Sequence, residues 1–153
     1  MTDASILERI QGDLVPAMKA KDADTLSTLR MLKAALMEAK TKKPREAVLS
    51  KDEEVEVLQR YVKKRRETID ELRKANRADL VAKEEQEIQV TQRYLPEMMS
   101  EEDLRAVIRE AIEKTGAAGP KAMGQVIGAV MGQVKGRAEG GTVSRLVKEA
   151  LGS

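Results

Sequence analysis

The sequence contains no cysteine, histidine, phenylalanine or tryptophan. Without cysteine there is no disulfide, no thiol nucleophile and no thiolate metal site. Without histidine the commonest metal ligand and general base is also missing. Aromatic side chains are reduced to Tyr61 and Tyr94, so a core must be built from Leu, Ile, Val, Met and Ala, a set that packs adaptably. No uninterrupted stretch approaches the roughly 20 apolar residues a membrane span needs. The N-terminus shows no basic segment followed by an apolar signal core, and a cytoplasmic protein with no membrane partner is expected. Charge of one sign is lacking too: 28 basic residues against 26 acidic leave a net +2, which argues against a polyanion binder acting through bulk charge.

What is present points to helices. The chain is 41% hydrophobic and 35% charged, and only 10 glycines and 4 prolines interrupt its 153 residues. Between Asp3 and Ala20, Ile6, Ile10, Leu14 and Met18 recur every fourth residue and stack on one face of a helix that Pro16 bends or ends. A second helix begins at Asp22 or Asp24, turns Leu26, Leu29, Leu32, Leu36 and Met37 inward, and breaks over Lys40 to Pro44. Ser50 followed by Glu53 is a capping-box pattern that opens a long helix. Its buried stripe is Val55, Leu58, Val62, Ile69 and Leu72, with the stem of Arg65 filling the step between, and it stops near Ala75 and Asn76. A further helix over Asp79 to Tyr94, with Leu80, Val81, Ile88, Tyr94 and Leu95 apolar, pairs antiparallel with it.

Pro96 disfavours helical geometry at Leu95, and Ser100 with Asp103 offers a new cap. The expected fold is therefore all-α. An N-terminal helical domain with a long antiparallel helix pair (residues 1–97) is followed by a small C-terminal three-helix domain (98–153). The second domain's first helix carries Leu104, Val107, Ile108, Ala111 and Ile112 on one face. Two short helices follow, Pro120 to about Val134 and Thr142 to about Leu151, the last capped by Thr142 with Val143, Leu146, Val147 and Ala150 inward.

The sharpest signal is the glycine pattern. Nine of ten glycines lie after Thr115, and Gly124, Gly128, Gly132 and Gly136 recur every fourth residue. A glycine inside a helix costs about 0.8–1.0 kcal/mol relative to alanine, so several in register ask for a compensating close approach. Either a neighbouring helix of the same domain lies against them, or they form a partner surface. Lys121, Lys135, Arg137, Arg145 and Lys148 surround these helices and make a candidate contact for a phosphate backbone. Lys114 to Ser153 holds six basic residues against two acidic, a net +4, whereas residues 1–113 carry −2.

These residues resemble the YqeY family, whose C-terminal half is similar to the tail domain of GatB, a subunit of tRNA-dependent amidotransferases. The resemblance is carried by MGQVIGAVMGQVKGRAEGGTVSRLVKEAL (Met123 to Leu151), SEEDLRAVIREAI from Ser100, DLVAKEEQEIQVTQRYLPEMMS (Asp79 to Ser100) and LRMLKAAL (Leu29 to Leu36), nearly the whole chain. It implies an association with tRNA, and carbon–nitrogen ligase chemistry with glutamine as amide donor only beside a catalytic partner. Such motifs define a scaffold rather than a reaction.

No catalytic constellation, metal site or cofactor site is expected. A glutaminase needs an activated nucleophile, and no GxxxxGK[ST] phosphate loop occurs; glycine amides within a helix are already engaged. Glu84, Glu85 and Glu87 are expected on a solvated helix face. Lys63, Lys64, Arg65 and Arg66 wrap their helix and pair with acids four residues away. Lys40, Lys42, Lys43 and Arg45, on a loop, form a candidate secondary anion contact, while Tyr61 and Tyr94 are assigned to packing. The leading functional expectation is a noncatalytic tRNA- or RNA-associated module. The alternative is a protein-interaction scaffold or accessory subunit that binds no nucleic acid.

Overall fold

The computed structural model describes residues 4–116 and 118–152. Among them run α1 (Ile6–Lys19), α2 (Ala23–Thr41), α3 (Lys51–Lys74), α4 (Ala78–Gln92), α5 (Glu101–Thr115), a 3-10 turn (Pro120–Ala122), α6 (Met123–Val134) and α7 (Gly140–Ala150), with no strand. The fold is all-α, as the composition and periodicity require. Two compact units divide between Leu95 and Pro96, Met1–Leu95 and Pro96–Ser153.

In the first unit Ser5 caps α1 by accepting from the Glu8 amide, and Asp22 caps α2 by accepting from the Thr25 amide. Pro16 lies inside α1 and does not end it. The carbonyl its ring crowds belongs to Gly12, four residues back, whose side-chain position is open space. The inward stripe runs Ile6, Ile10, Ala17; Met18 is half exposed, a correction to the four-residue pattern. Each four-residue step overshoots a 3.6-residue turn by about 40°, so three steps carry Met18 off the core face. Met37, also expected inside, is 40% exposed, and Leu80, one of the apolar residues of the fourth helix, is exposed to the same extent.

The capping box of α3 forms as its sequence specifies: Ser50 Oγ accepts from the Glu53 amide, and Glu53 Oε1 accepts from the Ser50 amide at 3.0 Å. Lys43 donates to the same Oε1 at 2.6 Å and to the Val48 carbonyl at 3.1 Å, tying the α2–α3 loop to the start of α3. The lysine bond first, then the Ser50 amide, holds the Glu53 carboxyl down at about 2, against an ordinary 4.5. A depressed carboxyl stabilises the fold above its unfolded value, so this contribution fades as pH falls from 4.5 toward 2. Lys43→Ala should return the Glu53 midpoint most of the way toward 4.5 in a side-chain NMR titration.

Asn76, in the left-handed region at φ 56, ends α3, and the Arg77 amide reaches back to the Leu72 carbonyl at 2.8 Å. That tight turn folds α4 back against α3. The core beneath is Ile10, Leu29, Leu32, Leu36, Leu58 and Val90, with a second cluster of Val62, Ile69, Val81 and Ile88 along the α3–α4 pair.

Glu54 reveals how α1 is fastened. It is 3% exposed, and its two carboxylate oxygens accept from the amides of Ile6 at 3.1 Å and Leu7 at 2.9 Å. A carboxylate from α3 thus satisfies two orphan donors at the positive end of α1. Glu54→Ala strands both donors and should cost about 1–3 kcal/mol, read as a lower urea midpoint.

The second unit packs α5, α6 and α7 around Leu104, Ile108, Val126, Val130, Val143 and Leu146. Ser100 Oγ caps α5 through the Asp103 amide. α7 begins at Gly140 behind Glu139, which makes no side-chain cap; Thr142, expected as the cap, sits inside the first turn. Ala150, expected inward, is exposed. The α6–α7 loop clasps the segment before α5: the Met99 amide donates to the Arg137 carbonyl at 2.8 Å, and Arg137 Nε donates to the Glu97 carbonyl at 3.1 Å.

Candidate functional site

α6 has the sequence MGQVIGAVMGQV and contains no charged residue, in a chain that is 35% charged. Val126, Val130 and Val134 are buried, at 0, 0 and 3% exposure. Gly124, Gly128 and Gly132 precede these valines by two residues each, roughly 200° around the helix, and so point directly away from the core. All three are exposed, and a side chain built at any of them would meet nothing within 4 Å among the described residues. The intradomain reading of the glycines is therefore overturned, since the domain's own core uses the opposite face. Gly136 does not belong to the stripe: it lies past the end of α6 at φ 79, where its role is to turn the chain.

Beside the glycines, Gln125, Ala129 and Gln133 are exposed as well. They follow each glycine by one residue, a repeat the glycine spacing alone did not single out. The result is a smooth strip of backbone, small side chains and neutral amides.

The five basic candidates do not converge on one point. Lys121 is exposed before the start of α6 and Lys135 after its end, separated by the length of the helix, about 18 Å. Lys135 itself takes a positive φ of 22. Arg137 is engaged with the Glu97 carbonyl, Arg145 pairs with Glu101 and with Glu149, and Lys148 is exposed on α7 but is not without a partner. Part of the local positive charge is thus neutralised within the unit.

Comparison with known proteins bears on this arrangement. The sequence model of the family described as "Yqey-like protein" matches residues 7–151, which includes both units. The chain belongs to the YqeY family. A curated relative from Pyrenophora tritici-repentis, named "Altered inheritance of mitochondria protein 41, mitochondrial", is 33% identical over 152 residues, covering 97% of this chain and 82% of its own length. An uncharacterized protein of Schizosaccharomyces pombe is 37% identical over 92 residues, 60% of this chain and 72% of its own.

A second polar cluster in this YqeY-family chain departs from the solvated face expected of Glu84 to Glu87. Glu87 is buried, and its side chain is 7% exposed; that of Glu84 is 16% exposed. Arg65 crosses from α3, with Nε 3.6 Å from Glu84 and one terminal nitrogen 3.6 Å from Glu87, while its guanidinium lies 5.0 Å from the Tyr61 ring centroid. Helix geometry places residues 84 and 87 on one face and Arg65 on the inner stripe of α3, so the pairing runs between helices rather than four residues along one. Burial first, then the neighbouring Glu84 carboxylate, raises the Glu87 carboxyl, against partial relief from Arg65 and Lys83. The same enclosure pushes the Tyr61 hydroxyl up to about 12.

The loop basic group is also partly spent internally. Lys43 is committed to Glu53 and Val48, and Lys42 approaches Glu38 at 3.9 Å, leaving Lys40 and Arg45 outside those contacts. Tyr94 is 5% exposed and donates its hydroxyl to Asp13 Oδ2 at 2.5 Å, with Arg9 stacked 5.2 Å from its ring centroid. Among the described residues no helix is long and apolar enough to cross a membrane.

Proposed function

We propose that the second unit is a noncatalytic RNA-contacting module, with tRNA the class implied by its similarity to the GatB tail. The observation that carries this reading is the uncovered glycine strip of α6: three glycines weaken the helix, and no side chain of the described chain approaches them. A phosphate–sugar backbone can lie close against such a strip because nothing projects from it and no carboxylate on α6 repels it. Lys121 and Lys135 stand beyond its two ends, and Lys148 extends the positive charge along α7. Association with an amidotransferase-like catalytic partner is compatible with this role, the partner supplying all of the chemistry; glutamine turnover by the pure chain would contradict it. A cytoplasmic setting belongs to the same proposal, and the mitochondrial name of the Pyrenophora relative makes organelle fractionation its direct check.

Total tRNA binding by the intact chain, measured by fluorescence anisotropy at several salt concentrations, tests the proposal. Affinity should fall with salt, and Lys121→Ala, Lys135→Ala and Lys148→Ala combined should weaken binding and flatten the log–log slope by about 0.7–0.9 for each phosphate that the protein no longer neutralises. No binding at low salt would remove the RNA reading. The absence of charge on α6 would then favour the second reading, a face that receives a helix of a partner protein.

A further inference from the structure

The first unit has an uncovered face of its own, on α2. A shallow groove of about 380 Å³ lies against the first half of that helix, with Leu26 and Met31 among its walls and Arg30 and Ala34 beside them. Met31 and Met37 are 41% and 40% exposed, two flexible apolar side chains less than two turns apart on one helix. Glu38 is also free toward solvent: its side chain is 74% exposed and touches Lys42 only at 3.9 Å. The small residue Ala34 sits exposed between the two methionines.

We propose that this face docks against a second copy of the chain, α2 against α2 in antiparallel orientation, about a two-fold axis through Ala34. Such an axis sets each residue before Ala34 opposite the partner residue equally far after it, and the interface is self-complementary only if those pairs match. The exposed pairs nearest the axis match in charge, size or polarity, while Leu26 falls opposite the partner's Lys42 at the edge of the face, where the lysine ammonium reaches solvent. Arg30 and Glu38 lie four residues to either side of Ala34, so Arg30 faces the partner's Glu38 and Glu38 faces the partner's Arg30. Met31 and Met37, three residues to either side, meet in the same way, and Ser27 meets the partner's Thr41. At the axis itself alanine faces alanine, which lets two helix backbones cross closely.

The register is specific. An axis one residue earlier, at Lys33, would bring Arg30 against Leu36, which is buried in the core of its own unit and unreachable. Only the Ala34 axis puts both charges of each sign opposite their complements while joining the methionines into one apolar patch.

Sedimentation equilibrium of the intact chain tests this directly. The wild type should dimerise, and Arg30→Glu or Glu38→Arg should each weaken dimerisation by roughly ten-fold or more, since either creates two like-charge pairs. The double variant Arg30→Glu with Glu38→Arg restores complementarity and should recover most of the loss, a rescue that a general effect on folding would not produce. Because the chain has no cysteine, Ala34→Cys supplies a single thiol at the proposed axis and should form a disulfide-linked dimer on mild oxidation, whereas Lys64→Cys, exposed on α3, should not. A wild type that stays monomeric up to millimolar concentration, or a dimer indifferent to both charge reversals, would overturn the proposal.

Discussion

Replacing Arg65 by methionine is expected to destabilise the first unit by about 3–5 kcal/mol at neutral pH, because one cation holds two enclosed carboxylates. Glu84 and Glu87 would be left side by side with their main counter-charge removed and the Tyr61 ring uncovered. Methionine keeps much of the volume of the arginine stem, so the loss is electrostatic rather than a cavity. Two further measurements separate the causes. Chemical denaturation at about pH 5 should show a smaller penalty than at pH 8, since Glu87, already raised by burial and by Glu84, takes up a proton more readily as pH falls, and that relieves the repulsion. Adding Glu84→Gln and Glu87→Gln to Arg65→Met should recover most of the stability at pH 8. A variant as unstable at pH 5 as at pH 8, with no rescue, would mean that Arg65 acts through packing alone.

The intact cluster has a weaker pH dependence of the same sign. Glu87 titrates above its unfolded value because burial and Glu84 outweigh Arg65. A raised carboxyl binds more protons in the native state, so its contribution is present near the unfolded value of 4.5 and is lost as pH rises through the folded value. Glu53 works in the opposite direction, losing its contribution as pH falls from 4.5 toward 2. Together they favour greatest stability in mildly acidic solution. Glu87→Gln should remove the alkaline part of that dependence while leaving the acid part unchanged.

The contrast between these two glutamates also shows which features the sequence makes legible. The Ser50–Glu53 box is local: cap, spacing and helix start lie within four residues, so the pattern alone specifies the bonds that form. The same holds for Ser100 before α5 and for the Leu29, Leu32, Leu36 stripe of α2. The Arg65 cluster and the Glu54 cap depend on which helices meet, with separations of about 20 and nearly 50 residues, and no periodicity encodes that. A run such as Glu84 to Glu87 therefore reads as surface until the helix bearing Arg65 is laid across it. Met37 misleads for a simpler reason, since an apolar residue on the surface beside a core stripe carries no mark that distinguishes it from the stripe itself. In the second unit the spacing of Gly124, Gly128 and Gly132 was plain, but whether a helix covered them was a tertiary question. The valines decide it, because a helix that buries Val126, Val130 and Val134 has only its opposite side left to offer.

Converting Gly124, Gly128 and Gly132 together to alanine should make the second unit more stable, by about 1–3 kcal/mol in sum, from roughly 0.4–1 kcal/mol at each position. The gain comes from the unfolded chain, which loses backbone freedom, and nothing among the described residues opposes it because each new methyl enters open space. Calorimetry of the intact chain should show the transition of Pro96–Ser153 move upward while that of Met1–Leu95 stays in place. The same three methyls stand along the strip proposed to meet RNA, so tRNA affinity should fall as stability rises. That opposition is what distinguishes a contact face from an incidental one, since a variant that folds better yet binds worse cannot owe its defect to unfolding. Increased stability with unchanged tRNA binding would place the RNA contact elsewhere, leaving Lys148 and the far side of α7 as the surface to examine. Decreased stability would instead mean that the glycines are already in close contact when the protein is in solution, with a second molecule lying where the isolated chain shows open space.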